Sequence, residues 1–430
     1  MSDTRYQSPI SPGRSYYEDT VGERPRHPAL AGDERADVLV IGGGFTGLSA
    51  ALALAGAGVD VALVEAHRLG DGASGRNGGQ FGTGQRVSVV QLEEEIGFER
   101  TKVLFDLAEE AKRRILDFAA GNDLDLDYRE GQLSLVHKAR LLPAYAEEVD
   151  ALNLRYDYPH ADFMEARETA ERLGSSVYHG GIRDRGTGHL NPMKLLVGLA
   201  RVAAANGARL FENTRVTKIE RHEGRWAAVT NQGRITADRI LMATNAYGTG
   251  LVSDADAHIM PIRSFMAATE PLAEPARILP GGEAVDDSRF VVRYFRKSAD
   301  DRLLFGGREA YARADGPIEP QIRRQIESIY PHLKNVRFSH AWGGSVAVTR
   351  TRMPYVRTPE PGLTVIGGFS GHGVLLSHLL GTLYAEHVAG GPDRLEAFRQ
   401  LRLPRFPGGK RWRAPLLFAA MTWFSIRDRL

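Results

Sequence analysis

The sequence predicts an α/β plus α+β fold of two domains, in which a β-rich domain is inserted into a discontinuous α/β domain. Three observations support this prediction. A strand, a glycine-rich turn, an Ala/Leu helix and a second strand follow one another within residues 37–65. A long amphipathic segment and several β-type stretches occupy residues 91–340. Another strand, glycine-rich turn and helix follow at residues 363–388, so the chain returns to its first pattern.

The first glycine-rich turn has the spacing of a dinucleotide-binding site. Val38–Ile41 is the predicted strand, and Gly42, Gly44 and Gly47 follow it in G-x-G-x-x-G order. Gly42 permits a tight turn, Gly44 lets a diphosphate approach the backbone, and Gly47 lets the helix pack closely on the strand. The sequence therefore predicts a Rossmann-like domain, with a glycine-rich turn that binds no ligand as the alternative.

The residues after the turn strengthen this interpretation. The free N–H groups of the helix start, which includes Phe45 and Thr46, favour a diphosphate. The second strand, Val59–Val64, ends on Glu65, and Ala66 follows. Glu65 stands about 20 residues beyond the turn, where a carboxylate accepts hydrogen bonds from ribose hydroxyls. Because the same carboxylate repels a 2′-phosphate, NADP is disfavoured.

Composition excludes several classes of function. The 430 residues are 43% hydrophobic and 25% charged, and the net charge of +2 does not favour nucleic acid as a partner. The absence of cysteine excludes disulfides, thiolate metal sites and a cysteine-linked cofactor, and we assign no metal-binding residues. Residues 1–36 lack the pattern of a signal peptide, and no apolar run has the length of a membrane span. We therefore expect a cytoplasmic protein.

The number of glycine motifs indicates which dinucleotide is bound. A flavin reductase that uses NAD(P)H usually has two dinucleotide motifs, but too little sequence follows Gly367–Gly373 to build a second such domain. The later cluster instead supplies a helix N-terminus, which in an FAD protein can face the N1/C2=O edge of the flavin. We therefore predict FAD, with a plain strand-to-helix turn as the alternative. The predicted contacts from this cluster are Gly368, Gly371, His372, Gly373 and Val374.

The pattern also predicts domain boundaries. An N-terminal arm, residues 1–36, is expected to lie along the surface. The FAD-binding domain comprises residues 37–90, 185–248 and 341–395, and the substrate domain comprises residues 91–184 and 249–340. Residues 396–430 form a C-terminal tail. Its segment Trp412–Leu430 is apolar and basic by turns, so it either contacts a membrane surface or packs against the body, and we favour packing.

The chain resembles the D-amino-acid oxidase superfamily of FAD enzymes. Within that superfamily it is most similar to the subgroup of gamma-glutamylputrescine oxidoreductase-like amine oxidoreductases. The resemblance lies in residues 36–65, 72–80, 261–264, 294–296, 343–344, 352–354 and 368–373, and the tail segments 406–409 and 426–430 also resemble the subgroup. It implies a flavin at the interface of the two domains and oxidation of an amine C–N bond to an imine, which water hydrolyses. It also implies that electrons pass to O2, giving H2O2, or to another acceptor.

Two departures from the superfamily bear on the substrate. Sarcosine oxidases hold the substrate carboxylate with an arginine near the first flavin loop and a lysine just after the last glycine motif. Leu375 occupies the lysine position here, and Arg76 lies within a glycine-rich turn. An α-carboxylate would lack its partners, which favours an amine whose charge lies away from the reacting carbon. The competing hypotheses are a glycine- or sarcosine-type oxidase and a flavoprotein dehydrogenase or electron-transfer subunit.

Further cofactor contacts are predicted beyond the two glycine motifs. A loop that would wrap the flavin and diphosphate contains Ser74, Arg76, Asn77, Gly78 and Gly79, with a purely structural loop as the alternative. The resemblance places Val216 beside the adenine, although a buried strand residue explains it equally well. Thr244 and Asn245 follow a buried strand and are candidates for approach to the cofactor.

Four residues are candidates for the catalytic site. His372 would orient flavin or substrate or assist proton transfer, with a turn-bonding histidine as the alternative. Arg263 and Arg296 would meet a distal substrate carboxylate or the charge of the reduced flavin, with surface ion pairs as the alternative. Tyr294 would line an amine pocket by cation–π contact, with aromatic core packing as the alternative. We nominate no dedicated base, because a dry pocket itself favours the neutral amine.

Overall fold

The computed structural model describes residues 8–310 and 317–407, which form two mixed β-sheets with flanking helices. The strands are β1 (Glu34–Ile41), β2 (Val61–Val64), β3 (Gln80–Phe81), β4 (Arg129–Leu135), β5 (Ala161–Glu165), β6 (Gly180–His189), β7 (Arg209–Phe211), β8 (Val216–His222), β9 (Arg225–Thr230), β10 (Arg234–Met242), β11 (Met260–Thr269), β12 (Ala284–Asp287), β13 (Tyr294–Lys297), β14 (Leu303–Ala310), β15 (Phe338–Val348), β16 (Tyr355–Glu360) and β17 (Leu363–Gly367). The helices are α1 (Phe45–Gly56), α2 (Val89–Ile96), α3 (Phe98–Gly121), α4 (Leu142–Arg155), α5 (Ala166–Leu173), α6 (Pro192–Ala205), α7 (Ser253–His258), α8 (Glu319–Ile329), α9 (Gly373–Val388) and α10 (Glu396–Arg399).

The first sheet is built around five parallel strands in the order β17-β10-β1-β2-β7. The run Val38–Ile41 of β1 is buried throughout, as expected for a central strand that is covered on both faces. The antiparallel strand β16 extends one edge, and the hairpin β8–β9 joins through β10. The carboxyl ends of β1, β2, β10 and β17 therefore lie at one edge, where open α/β sheets bind ligands.

The second sheet has nine strands, eight of them in the order β15-β11-β14-β13-β12-β4-β6-β3, with β5 beside β6. Its two faces contribute to different cores. Met266 of β11 belongs to the core shared with the first sheet, whereas Phe265 packs into a separate core with Ile322 and Ile326 of α8. One face of this sheet thus lies toward the first domain, and the other is covered by α8. Together the two sheets match the predicted α/β plus α+β class.

Two local predictions differ from the structure. The single helix predicted over residues 91–120 is broken into α2 and α3 at Gly97, whose φ of +83° ends the first helix. The short strand predicted at Ile240–Ala243 is the end of the longer strand β10, which pairs with β1 on one side and, on its other side, first with β9 and then with β17. A strand whose partner changes along its length has no single hydrophobic period, so its full length cannot be predicted from its own sequence.

The predicted domain boundaries need adjustment. Residues 185–189 end strand β6 and residues 341–348 belong to β15, and both strands lie in the second sheet rather than with the first domain. Their pairing partners are far away in sequence, so sheet membership could not be read from either strand alone. We propose boundaries after residues 189 and 348, and the two-domain division itself stays a proposal.

The described part of the N-terminal arm, residues 8–36, is partly buried rather than lying wholly along the surface as predicted. Tyr17 is fully buried, and the carbonyl groups of Pro12 and Gly13 accept hydrogen bonds from Arg76. The arm therefore lies between elements of both sheets. Within residues 8–310 and 317–407, no helix is both long enough and apolar enough to span a membrane. The tail segment Trp412–Leu430 lies outside the described residues.

Candidate functional site

Four loop segments meet at the carboxyl edge of the parallel strands. Gly42–Gly44 follows β1, Glu65 follows β2, Thr244 and Asn245 follow β10, and Gly368–Gly371 follows β17. Oδ1 of Asn245 accepts the N–H of Gly368 at 2.9 Å, which joins two of these loops directly. The two glycine motifs, far apart in sequence, are thus brought to one place. The Thr244 hydroxyl oxygen is buried here without a hydrogen-bond partner among the described residues.

The first glycine turn forms an open cradle at the start of α1. Gly42 has a φ of +112°, and a Cβ at Gly47 would lie only 1.9 Å from the Gly42 oxygen, so both glycines are required sterically. Gly44 caps α1 without any side-chain bond, and a Cβ there would lie 2.8 Å from Ser74 Oγ. Ser74 Oγ accepts the N–H of Phe45 at 3.0 Å. The other N–H groups of the first turn of α1 lack intrahelical acceptors, so this helix start suits a diphosphate.

Glu65 is held beside this cradle by backbone donors. Its Oε2 accepts the N–H of Gly43 at 2.8 Å, and its Oε1 accepts the N–H of His67 at 3.0 Å, across Ala66. Burial raises the pKa of the Glu65 carboxyl. The Glu65 carbonyl accepts the N–H of Thr214 at 2.8 Å, which brings the start of β8, Val216, to the same end of the sheet. Ribose contact by Glu65 and adenine contact by Val216 stay predictions.

The loop over residues 72–80 is shaped by its own polar groups. The Asn77 amide donates to the Ser74 carbonyl at 2.8 Å, and its Oδ1 accepts the N–H of Gly79 at 2.8 Å. A Cβ at Gly78 would lie 3.0 Å from the Tyr294 ring. Ser74 therefore contacts the start of α1, and Gly78 packs against Tyr294 of the second sheet. The side chain of Asn77 makes its hydrogen bonds within the turn.

Two buried arginines are bonded to main-chain carbonyls rather than to acids. Nε of Arg76 donates to the Gly343 oxygen at 2.6 Å, in addition to its bonds with the arm. Nε of Arg296 donates to the Gly78 oxygen at 2.7 Å, and another of its nitrogens donates to the Leu190 oxygen at 2.9 Å and to the Tyr17 hydroxyl at 3.1 Å. These bonds favour a structural role for both guanidinium groups. They do not support Arg296 as the partner of a substrate carboxylate.

Arg263 and Tyr294 lie on opposite faces of the second sheet. The hydroxyl groups of Ser264 and Tyr294 are 3.2 Å apart, so Ser264 shares the face of Tyr294. Successive side chains of a strand point to opposite faces, which places Arg263 on the face of Phe265. Because side chains alternate along β11, the structure does not bring Arg263 together with Tyr294.

His372 lies directly before α9 and faces the segment after β3. A Cβ at Gly82 would lie 1.6 Å from His372 Cε1, so the imidazole occupies the space that a side chain at Gly82 would need. Its Nε2 is 3.2 Å from the Gly84 carbonyl, an acceptor, so Nε2 carries the ring proton. Burial, together with the charges of Arg86 and Lys112, lowers the pKa of His372 to about 4. His372 is therefore neutral at neutral pH.

The remaining residues of the last glycine motif surround this histidine. Gly371 has a φ of +91° and an open Cβ position, and Gly373 and Val374 begin α9, whose start has no side-chain cap. Leu375 is 1% exposed in the same turn. A Cβ at Gly381 would lie 2.2 Å from the Thr46 oxygen, so α9 passes close to the start of α1. The start of α1 therefore packs against α9 about two turns after that helix begins.

Buried histidines should make the protein less stable in acid. Burial lowers the pKa of His378 to about 4 and that of His189 to about 3. Below pH 6.5 the unfolded chain binds protons that the folded chain does not, so stability present above 6.5 is lost progressively as the pH falls toward 4. His378, bonded to Ser49 at 2.7 Å, should account for about 3 kcal/mol of this loss. Urea unfolding between pH 7 and 4.5 should show a shallower decline for His378→Asn, and an equal decline would contradict this account.

Comparisons with known proteins identify the family. The family model described as FAD dependent oxidoreductase (DAO) matches residues 37–387. The chain belongs to the DAO family of FAD-dependent oxidoreductases. It is 56% identical to a probable oxidoreductase OrdL of Rhizobium meliloti over 99% of both chains, and 33% identical to gamma-glutamylputrescine oxidoreductase of Escherichia coli over 97% of this chain and 98% of that one.

A solved structure shows that the fold is shared with a known enzyme. The crystal structure of glycine oxidase from Geobacillus kaustophilus superposes with a TM-score of 0.71 at 21% identity, covering 84% of this chain and 96% of that chain. The predicted fold class, the resemblance to the D-amino-acid oxidase superfamily, the FAD cofactor and the enzyme class are therefore confirmed. This DAO-family protein is an FAD-dependent oxidoreductase of the amine and amino-acid oxidase type. The individual site residues stay predictions.

Two residues near the candidate site were not predicted from the sequence. Arg86 lies two residues beyond Gly84, on the segment that contacts His372, and Asp286 lies next to Tyr294 across the second sheet. The position of Arg86 shortly after the glycine-rich loop 72–80 was a usable signal. The sequence gives no such signal for Asp286, because its proximity to Tyr294 follows only from the pairing of β12 with β13.

Proposed function

We propose that this DAO-family enzyme oxidises the terminal amine of gamma-glutamylputrescine or a related gamma-glutamylated polyamine. Two electrons and two protons leave the CH–NH2 group to give an imine, and water converts the imine to an aldehyde and ammonia. Bound FAD supplies the two-electron acceptor, and O2 takes up the electrons and protons as H2O2. The 33% identity to gamma-glutamylputrescine oxidoreductase over nearly the whole chain supports this substrate class.

The observation that carries the proposal is that no arginine of the predicted flavin loop or of the facing sheet strand β13 is available for an α-carboxylate. Arg76 and Arg296 donate to main-chain carbonyls, and Leu375 places an apolar side chain where sarcosine oxidases have a lysine. A buried carboxylate without a partner is costly. This environment favours a substrate that has no acid group on the reacting carbon.

We propose that His372 and Tyr294 face the reacting amine, with Ser264 beside Tyr294. The electron-rich ring face of Tyr294 would attract the amine while it is still charged. Because His372 is neutral at neutral pH, it adds no positive charge that would repel the amine. Exclusion of water lowers the pKa of an ammonium group, which supplies the neutral amine that donates electrons.

Flavin bleaching should separate the competing functions. In anaerobic stopped-flow measurements near 450 nm, we expect gamma-glutamylputrescine to reduce the holoenzyme about a hundredfold more efficiently than sarcosine or glycine, since about 3 kcal/mol separates a paired from an unpaired buried charge. Admission of air should restore the colour and release H2O2.

Each other outcome has a defined meaning. Equal reduction by sarcosine would contradict the argument from Arg76, Arg296 and Leu375 and favour an amino-acid oxidase. Bleaching that air reverses only slowly would identify a dehydrogenase with another acceptor. FAD that no amine reduces would favour the electron-transfer subunit.

A further inference from the structure

Lys112 is a buried cation that lies outside the proposed contacts with the amine. It belongs to α3 and is 5% exposed, and its Nζ lies 2.8 Å from a carboxylate oxygen of Glu109 on the preceding turn. The apolar face of α3, which includes Ala108, Ala111 and Ile115, is buried without help from this charge. Because burial of an ammonium group is costly, packing alone does not account for a lysine at this position.

The hydrogen bonds of Lys112 join α3 to three other segments. Its Nζ donates to Thr83 Oγ1 at 2.6 Å, to the Tyr158 hydroxyl at 3.1 Å and to the Gly186 carbonyl at 3.2 Å. Thr83 follows β3, Tyr158 follows α4, and Gly186 belongs to β6. An ammonium group has three N–H donors, so these bonds use all of them. Lys112 is therefore satisfied inside the protein and has no donor left for a ligand.

Asp184 of β6 accepts hydrogen bonds from the same two hydroxyl groups. Its Oδ2 accepts from Thr83 Oγ1 at 2.5 Å, and its Oδ1 accepts from the Tyr158 hydroxyl at 2.7 Å. The Thr83 hydroxyl thus receives one hydrogen bond from Lys112 and donates another to Asp184. Hydrogen bonds to charged groups are the stronger kind, so Thr83 is held firmly in one position.

Thr83 lies between the two points at which His372 contacts the segment after β3. On one side, a Cβ at Gly82 would lie 1.6 Å from His372 Cε1, and on the other side the Gly84 carbonyl accepts the Nε2–H at 3.2 Å. Within residues 8–310 and 317–407, this is the one hydrogen bond that the imidazole makes. The orientation of the ring therefore depends on where residues 82–84 are held.

The helix α3 also holds the helix that follows His372. Arg114, two residues after Lys112, lies 2.6 Å from Glu386 of α9, and α9 begins directly after His372. One helix is thus connected both to the element that carries the histidine and to the segment that bonds its ring. Lys112 supplies the second of these connections.

We propose that Lys112 is a positioning residue for the oxidation, acting on His372 through Thr83 and the Gly84 carbonyl. With the Nε2–H bonded to Gly84, the unprotonated Nδ1 is the ring atom left to accept an N–H of the substrate amine. Such a bond fixes the direction of the nitrogen lone pair. This assignment rests on the proposed function, in which His372 faces the reacting amine. Lys112 itself does not contact the substrate.

Two variants of Thr83 test the connection without removing a charge. Thr83→Val keeps the shape of the side chain but loses the hydroxyl, whereas Thr83→Ser keeps the hydroxyl. In anaerobic stopped-flow measurements with gamma-glutamylputrescine, Thr83→Val and Lys112→Met should each lower the limiting rate of flavin reduction about tenfold or more, the order of loss caused by a misplaced group. The half-saturating substrate concentration should change less than about threefold, and Thr83→Ser should keep the parent rate.

The His372→Ala background separates positioning from damage to the fold. In that background Thr83→Val should lower the rate no further, because the group on which it acts is absent, whereas a damaged fold would lower the rate in both backgrounds. Lys102→Met is the matched control. Lys102 pairs with Asp106 at 2.6 Å on the same helix, almost three turns before Lys112, so its removal should leave the rate unchanged.

Crystal structures of the variant holoenzymes test the connection independently of activity. In Thr83→Val and Lys112→Met, we expect the imidazole of His372 to have lost its hydrogen bond with the Gly84 carbonyl. An imidazole that stays in place in Thr83→Val would overturn the proposal, whether or not Lys112→Met folds, as would an equal loss of rate with and without His372. A displaced imidazole in a protein whose parent is reduced by no amine would refute the proposed function and leave the connection from Lys112 to His372 standing.

Discussion

Replacement of Gly44 by valine should give a folded protein that is purified without FAD. A Cβ at residue 44 would lie 2.8 Å from Ser74 Oγ, and the two methyl groups of valine would fill the cradle in front of the first N–H groups of α1. Because the diphosphate must approach the backbone at this point, FAD affinity should fall at least about a hundredfold. The ratio of absorbance at 450 nm to that at 280 nm measures the loss.

A second glycine of the same helix provides the control. Gly56 ends α1 at an exposed position, and its nearest neighbour to an added Cβ is the Asn206 amide at 3.7 Å. Gly56→Val should keep both the yellow colour and the far-ultraviolet circular dichroism of the parent. If Gly44→Val also keeps its flavin, the first glycine turn does not bind the diphosphate, and the cofactor assignment of Gly42, Gly44 and Gly47 fails.

Replacement of Arg296 by methionine should cause a large loss of stability. Methionine keeps the apolar stem but leaves the Gly78 and Leu190 carbonyls and the Tyr17 hydroxyl without their donor. Unsatisfied buried groups cost about 1–3 kcal/mol each, so we expect a loss of about 3 kcal/mol or more. Thermal unfolding followed by circular dichroism should show a clearly lower midpoint.

Arg263→Met is the matched control for this loss. Arg263 lies on β11 in the same sheet but on the opposite face from Tyr294, so its removal should change the midpoint little. An Arg296→Met protein that unfolds at the parent's temperature, yet is reduced by gamma-glutamylputrescine only at a much higher concentration, would return Arg296 to the role of a substrate ligand. Unchanged reduction together with a lower midpoint would establish it as a structural residue.

The sequence predicted best where the signal was local. Gly42, Gly44 and Gly47 each have a steric reason that is visible within a few residues, and α6 begins at Pro192 where a capping Asn191 precedes it. The fold class followed from such motifs. Strands β6 and β15 were misassigned because their partners come from distant parts of the chain, and local patterns carry no information on pairing of this kind.

The candidate site shows the same contrast between local sequence signals and long-range pairing. The cradle at Gly44 and the histidine before α9 were found from glycine spacing and a helix start. By contrast, the roles of Arg263 and Arg296 depend on which face of a strand each occupies and on which carbonyls lie opposite. The pairing of Asp286 with Tyr294 depends on sheet register in the same way. Residue type alone could not distinguish an arginine that binds a ligand from one that donates hydrogen bonds to the backbone.

The burial of Tyr17 against Arg296 also has a consequence for synthesis in the cell. The arm is translated before Arg296 and Gly343, which form part of its docking surfaces. Until those two residues are made, Tyr17 has no place to be buried, and the nascent chain exposes it to chaperones and proteases. Docking of the arm is therefore a late step of assembly, so a chain that is truncated before Arg296 leaves Tyr17 unprotected.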